Sequence, residues 1–281
     1  MGLSNMKIDR IYNIYFSATG TTEKVTSTIA KCLSETCEVP SSIYDFTLPD
    51  ARKSFPELSE TDLVVFGCPT YAGRLPNLLL PYLREVKGNG ALAIPVVTFG
   101  NRAFDNSLAE LASILENGGF HTVAAGAFSC EHSFSDALGG GRPDAADLFE
   151  AQSFALSVFG KLVRSAAQGE AAYPVHPAGD PGAPYYQPRD RHGNPIDIRK
   201  VKPVTAAACT SCGLCAQVCP MGAIDPADVT STPGICIKCC ACTKKCPTGA
   251  KHFEDPGFLY HKNELEAMYG GARQANTFFL E

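Results

Sequence analysis

Three absences in this 281-residue chain each remove a class of function. There is no excess of basic residues: 24 Lys and Arg stand against 29 Asp and Glu, a net charge of −5. A nucleic-acid partner, which calls for a basic stripe, is therefore not expected. No apolar run approaches the ~20 residues that a membrane-spanning helix needs, so no membrane span is expected either. The opening MGLSNMKIDR lacks the basic-then-apolar build of a signal peptide. The expected compartment is the reducing cytoplasm. The 45% hydrophobic and 19% charged fractions suit a globular chain with a core, and its length suggests about two domains.

Cysteine is scarce where the chain is long and dense where it is short. The first 200 residues hold only Cys32, Cys37, Cys68 and Cys130, while nine of the thirteen lie between Cys209 and Cys246. The four early ones need no chemistry and are read as free thiols of the kind commonly buried. Clustering of the other nine in a chain expected in the cytoplasm points to metal, not disulfides.

Cys209, Cys212, Cys215 and Cys219 are followed by Pro220, and Cys236, Cys239, Cys242 and Cys246 by Pro247. Each member of the second set lies 27 residues after its counterpart (236 − 209), and Gly222-Ala223 likewise matches Gly249-Ala250. This is an internal repeat. In C-x₂-C-x₂-C-x₃-C-P, three thiolates wrap one [4Fe–4S] cubane and the fourth ligates the other. The spacing assigns Cys209, Cys212, Cys215 and Cys246 to one cluster, and Cys236, Cys239, Cys242 and Cys219 to a second. A zinc ribbon would need only two C-x₂-C pairs and leaves four cysteines and both prolines unexplained. Residues 201–256 closely resemble a bacterial-type two-cluster ferredoxin. Cys240 departs from that pattern; it is read as a spare packed thiol, with a ligand swap as the alternative.

In the first half, the β-rich run Arg10 to Phe16 leads into Ser17-Ala18-Thr19-Gly20-Thr21-Thr22 and then a helix from Glu23 to Leu33. A hydroxyl-rich turn at a helix start can hold a phosphate, although a plain capped helix start is the duller reading. Gly-Lys-Ser/Thr and Gly-x-Gly-x-x-Gly are both missing, which excludes a Walker A loop and the dinucleotide fingerprint. Two further strands, Asp62 to Gly67 and Ala93 to Thr98, deliver loops at their carboxyl ends, where open α/β sheets bind ligands.

Together S-A-T-G-T-T, P-T-Y-A-G-R-L-P and F-G-N-R-A-F-D closely resemble the phosphate loop and two ring-flanking loops of flavodoxin-like FMN proteins, over residues 8–168. The resemblance implies an α/β fold with a doubly wound, five-stranded parallel sheet, joined here to a small α+β ferredoxin domain. It implies that Ser17, Thr19, Gly20, Thr21 and Thr22 hold the FMN phosphate. Pro69, Thr70, Tyr71, Ala72 and Gly73 would line one side of the flavin, and Gly100, Asn101, Arg102, Phe104 and Asp105 the other. A fifth strand is expected over His121 to Ser129. The following His132-Ser133 and Gly141-Arg142-Pro143-Asp144 are similar to fused flavodoxin–ferredoxin proteins of anaerobic bacteria and archaea. His132 and Arg142 are expected near the flavin or the domain interface.

The expected organisation is therefore a flavodoxin-like domain (1–168), a proline-rich linker (169–200), a ferredoxin domain (201–256), and a C-terminal helix and tail (257–281) folding back onto a domain. A disordered spacer is the alternative for the linker. With FMN and two [4Fe–4S] clusters as cofactors and no evident groups for substrate turnover, the expected function is a single-electron relay between redox partner proteins. No catalytic residue is assigned. A flavin-dependent reductase fed by the clusters and a redox sensor are the competing classes. Donor, acceptor, direction of flow and oligomeric state stay open, a homodimer included.

Overall fold

The computed structural model describes residues 7–281. Strand β1 (Arg10–Tyr15), helix α1 (Thr21–Cys37), β2 (Ser41–Asp45), β3 (Asp62–Pro69), the short α2 (Leu80–Leu83), β4 (Leu92–Phe99) and α3 (Ser107–Asn117) follow in order. Next come β5 (His121–Thr122), β6 (Ala125–Ser129) and α4 (Ala145–Gln168). The strands are parallel in the order β2-β1-β3-β4-β6, with β5 also on β4. This is the flavodoxin-like doubly wound order, whose switch point places a ligand crevice at the carboxyl ends of the strands.

Period-2 alternation sorts the strand side chains onto two faces. Ile14, Phe16, Val64, Phe66 and Val97 face α3, packing with Leu108, Leu111 and Leu115. Ile11, Leu63, Val65, Ile94 and Val96 face α1 and α4, packing with Val25, Ile29, Phe154 and Val158. Each such buried aliphatic or aromatic side chain contributes roughly 1.5–3 kcal/mol. The expected fifth strand is split: Val123 and Ala124 interrupt it between β5 and β6.

The sheet has one strand more at its edge. After β7 (Val204–Thr205), α5 (Leu214–Gln217), α6 (Ala241–Lys244), β8 (Lys251–His252) and α7 (Pro256–Tyr269), the tail forms β9 (Thr277–Phe279). β9 pairs antiparallel with β6 in the register Ala125↔Phe279. Phe278 packs on Phe128 and stacks on Phe154 at 4.9 Å. An uncovered edge strand is a template for aggregation, and β9 caps β6.

The proline-rich segment lies against the sheet domain. Tyr173 stacks on His121 at 4.2 Å, Val175 N donates to Thr122 O, and Tyr186 N donates to Ala72 O. The main clamp is Arg74, whose guanidinium pairs with buried Glu110 and donates to Pro181 O at 2.7 Å and to Ala183 O. The Tyr185 hydroxyl donates to Leu75 O at 2.7 Å.

Candidate functional site

The cysteine region is a repeat in three dimensions as well as in sequence. Ser211 and Lys238, each two residues after the first cysteine of its set, both take positive φ (53° and 57°). So do Gly213 and Cys240 (79° and 60°), which cap α5 and α6, and Gly222 and Gly249 (57° and 66°). Every pair is 27 residues apart. Left-handed backbone turns the chain tightly enough to present thiols inward while backbone N–H groups face sulfur. Ser211 N donates to Cys209 Sγ and Lys238 N to Cys236 Sγ, both at 3.4 Å, and Ala223 N to Cys219 Sγ at 3.2 Å. Hydrogen bonds to sulfur are among the means by which proteins set cluster potentials.

A cavity is lined by Cys219, Cys236, Cys239, Cys240 and Cys242, with Pro220, Ile224 and Phe253. Four of these thiols are the set expected from the spacing, and Cys240 is the fifth. In the other half, Cys215 and Cys242 pack with Ile224 and Val229, and Cys209 and Cys219 lie against them. No three His, Cys, Asp or Glu side chains among the described residues converge as ligands of one metal ion would. Burial pushes the Cys242 thiol up to about 12 and Cys239 well above its ordinary value. Backbone N–H groups, Lys251 N foremost, bring the more open Cys246 down to about 7. Buried thiols this reluctant to ionise become thiolates once a metal coordinates them, and loading releases their protons. Cys240 takes the position of Gly213, and its buried side chain packs with Val201 and Phe258.

The second candidate site is a slot at the carboxyl ends of the strands. It is lined by Thr19, Thr21 and Thr22 from the β1 loop, Pro69, Thr70 and Tyr71 after β3, and Gly100 after β4. Hydroxyls and aromatic rings both line it, and Thr22 and Thr98 share a hydrogen bond of 2.7 Å. The first N–H groups of α1 have no intrahelical acceptor and face anions favourably. Gly20, with φ of 93°, makes the turn into α1. The donor set suits a phosphorylated aromatic ligand. Free space in the slot is about 50 Å³.

Not every sequence-predicted residue borders this slot. Ser17 Oγ accepts from Glu23 N at 3.0 Å and caps the helix. Gly20 borders a different face, with Lys24 and Lys31. Ala72 accepts from the linker, and Gly73 packs against Asp105. Asn101 is buried and donates to Tyr269 O and Ala272 O at 2.9 and 2.7 Å, which ties it to the tail. Arg102 pairs with Asp105 and lies 4.7 Å over the Tyr186 ring, and Phe104 packs on Phe99. Arg142 is buried against Asp147 and donates to Gln274 O at 2.7 Å, so it anchors the tail. Burial raises the Asp147 pKa, but hydrogen bonds from Arg142 outweigh it and hold the carboxyl low. Lining residues that sequence reasoning did not assign to the flavin are Ala18, Thr98, Phe99, Cys130, Glu131 and Ser133. The signal that could have found them is position: they end β1, β4 and β6 or follow directly.

The two sites meet at Tyr71. Its ring lines the slot, and it packs in the same apolar cluster as Cys239 and Ala241. Burial raises its pKa well above the ordinary value, and the charges of Cys239, Cys240 and Cys236 add to the effect. Lys244 from α6 pairs with Glu131 and Asp136 of the loop after β6, a second tie between the halves.

Residues 203–225 match the 4Fe-4S binding domain family. No curated protein sequence matches the chain. A flavodoxin from the domain Archaea is 14% identical with a TM-score of 0.39, the alignment covering 55% of this chain and 99% of that one. For the flavodoxin of Streptococcus pneumonia TIGR4 the values are 15%, 0.39, 54% and 99%. Rubredoxin oxygen:oxidoreductase from Desulfovibrio gigas is 15% identical at 0.41, covering 58% of this chain and 38% of that one. The chain thus joins a flavodoxin-like α/β sheet to a 4Fe–4S binding region.

Proposed function

We propose that the chain is an electron-transfer protein that relays single electrons between two [4Fe–4S] clusters and FMN, linking a low-potential donor protein to an acceptor. Cys209, Cys212, Cys215 and Cys246 would hold one cluster, and Cys236, Cys239, Cys242 and Cys219 the other. Thr19, Thr21, Thr22 and the start of α1 would hold the FMN phosphate, and Pro69, Thr70, Tyr71 and Gly100 the ring. The clusters supply one-electron centres and FMN a centre that takes one or two electrons.

The observation that carries this reading is the double placement of Tyr71, in the slot and against the second cysteine set. A cluster held by that set would lie beside a flavin bound in the slot. The first set includes Cys212, which is exposed. An electron from a partner that is oxidised at Cys212 would therefore cross the first cluster, then the second, before reaching the flavin. The protein's part is to hold these centres close, exclude water around Cys239 and Cys242, and aim N–H groups at sulfur. The docked linker and the Lys244 pairs fix the two halves, which keeps the internal step at high effective concentration.

The second reading, a reductase, has one observation of its own. An open groove of about 730 Å³ adjoins the slot, sharing Glu131 and Ser133, and Lys244, Lys262 and Glu266 line it. A small polar substrate reduced there would need to reach the flavin past Ser133.

Anaerobic purification with iron, sulfide and flavin quantified, followed by reductive titration in the visible range, tests the relay. The relay predicts about eight irons and one FMN per chain, titrating as one connected series. Zinc in place of iron, or no flavin uptake, would overturn it.

A further inference from the structure

We propose that the His132 imidazole is a flavin-contacting side chain, walling the slot from the β6 side and offering its Nε2–H to the ring. The inference rests on FMN being the ligand of that slot. Tyr71 follows β3 and His132 follows β6, and β4 lies between those strands, so the two rings flank the carboxyl end of β4 from either side.

Four observations hold the imidazole there. The first is Gly100. A Cβ at this position would stand 2.2 Å from His132 Cδ2 and 2.6 Å from its Cγ, far inside contact distance. Glycine after β4 is what admits the ring. The second is the tautomer: Phe134 N donates to His132 Nδ1 at 3.0 Å, so in the neutral ring the proton is on Nε2. The third is the brace behind it. Phe134 meets the imidazole edge-on at 4.9 Å and itself packs on Phe258 of α7 at 4.6 Å. The fourth is the free edge: His132 is half-buried and lines the slot, and no hydrogen bond engages its Nε2 among the described residues. A fixed N–H facing a slot without a protein acceptor is a donor for an acceptor atom of a bound ring. Burial also lowers the His132 pKa to about 4, with the nearby His261, Lys244 and Arg102 adding and Glu266 opposing, so the donor is neutral near pH 7.

The test uses the cluster-loaded full chain and measures the FMN dissociation constant by quenching of flavin fluorescence, with the visible flavin spectrum of each complex. His132→Ala and Gly100→Ala are each expected to weaken FMN binding about tenfold, the second by pushing the imidazole aside, and to shift the flavin bands. His132→Gln keeps an N–H donor and is expected to recover most of the affinity, which a merely structural role would not produce. Affinity within twofold of wild type in His132→Ala, or tighter binding, overturns the proposal. If Gly100→Ala does not fold, the comparison of Ala with Gln at position 132 decides alone. A wild-type chain that takes up its clusters but no FMN overturns the flavin reading itself, and that result is distinct from a wild type that binds while His132→Ala binds equally well.

Discussion

The sheet half and the cysteine half of this molecule are held together by different means. The sheet half buries two extended apolar layers, with Phe16, Phe46, Phe66, Phe120 and Phe128 all fully enclosed. Between Cys209 and Cys246, Cys239 and Ala241 join the sheet core, the region's own cluster is Cys215, Ile224, Val229 and Cys242, and its only helices are two of four residues each. Helices that short are not stable alone. The first half has a core that needs no ligand; in the second the cysteines are the core. Metal loading in such a region would be folding free energy, whereas FMN binding in the slot would add to a fold that already exists.

Removing the iron is the largest perturbation of that contrast. Oxidative loss of iron in the presence of a chelator is expected to make residues 201–256 labile to limited proteolysis while the circular dichroism of the sheet persists. A cysteine region still resistant after complete iron loss would erase the distinction.

The next largest effect lies where the linker meets the sheet. Glu110→Gln removes the anion opposite Arg74, whose side chain is 10% exposed and whose pKa the Glu110 hydrogen bonds raise. Leaving that guanidinium buried and unpaired is expected to cost about 3–5 kcal/mol in denaturant unfolding. Proteolytic cleavage near 180–186 would increase with it, because Pro181 O and Ala183 O lose a fixed donor. A loss below 1 kcal/mol would show that the linker's position does not depend on this pair.

A smaller effect concerns the loop after β6. His132 has a folded-state pKa of about 4 against an unfolded value near 6.5. A lowered histidine pKa means the unfolded chain binds the proton first. Its contribution to stability is therefore complete above pH 6.5 and is lost as the pH falls toward 4. Between pH 7.5 and 5.0, wild type is expected to lose about 2 kcal/mol more than His132→Gln. Equal losses would place the imidazole in water, not against Phe134.

The same contrast explains what could be read from sequence. The cysteine pattern is local, so its 27-residue repeat is legible without tertiary information. The strands β1, β3 and β4 announce themselves as buried β-rich runs. The slot is assembled from loops about 115 residues apart, and its lining depends on which way each loop turns. Asn101, Arg102, Phe104 and Asp105 carry the right motif, yet Asn101 turns to the tail and Arg102 to Tyr186. That competition is invisible until β9 and the linker are in place. The tail signalled itself only as Thr277-Phe278-Phe279-Leu280, an apolar end with no stated partner; pairing with β6 requires knowing that β6 is the sheet edge. Cys240 looked anomalous in sequence because its repeat counterpart, Gly213, contributes a backbone conformation and not a side chain.

The central claim is that electrons pass between the cysteine half and the flavin slot within one chain, by way of the contact at Tyr71. Photochemical injection of one electron per fully loaded chain, followed by flash absorbance at two protein concentrations, tests it most directly. The account predicts cluster bleaching followed by flavin reduction at a rate independent of concentration. A flavin rate that rises in proportion to protein concentration would mean transfer between molecules and would contradict it.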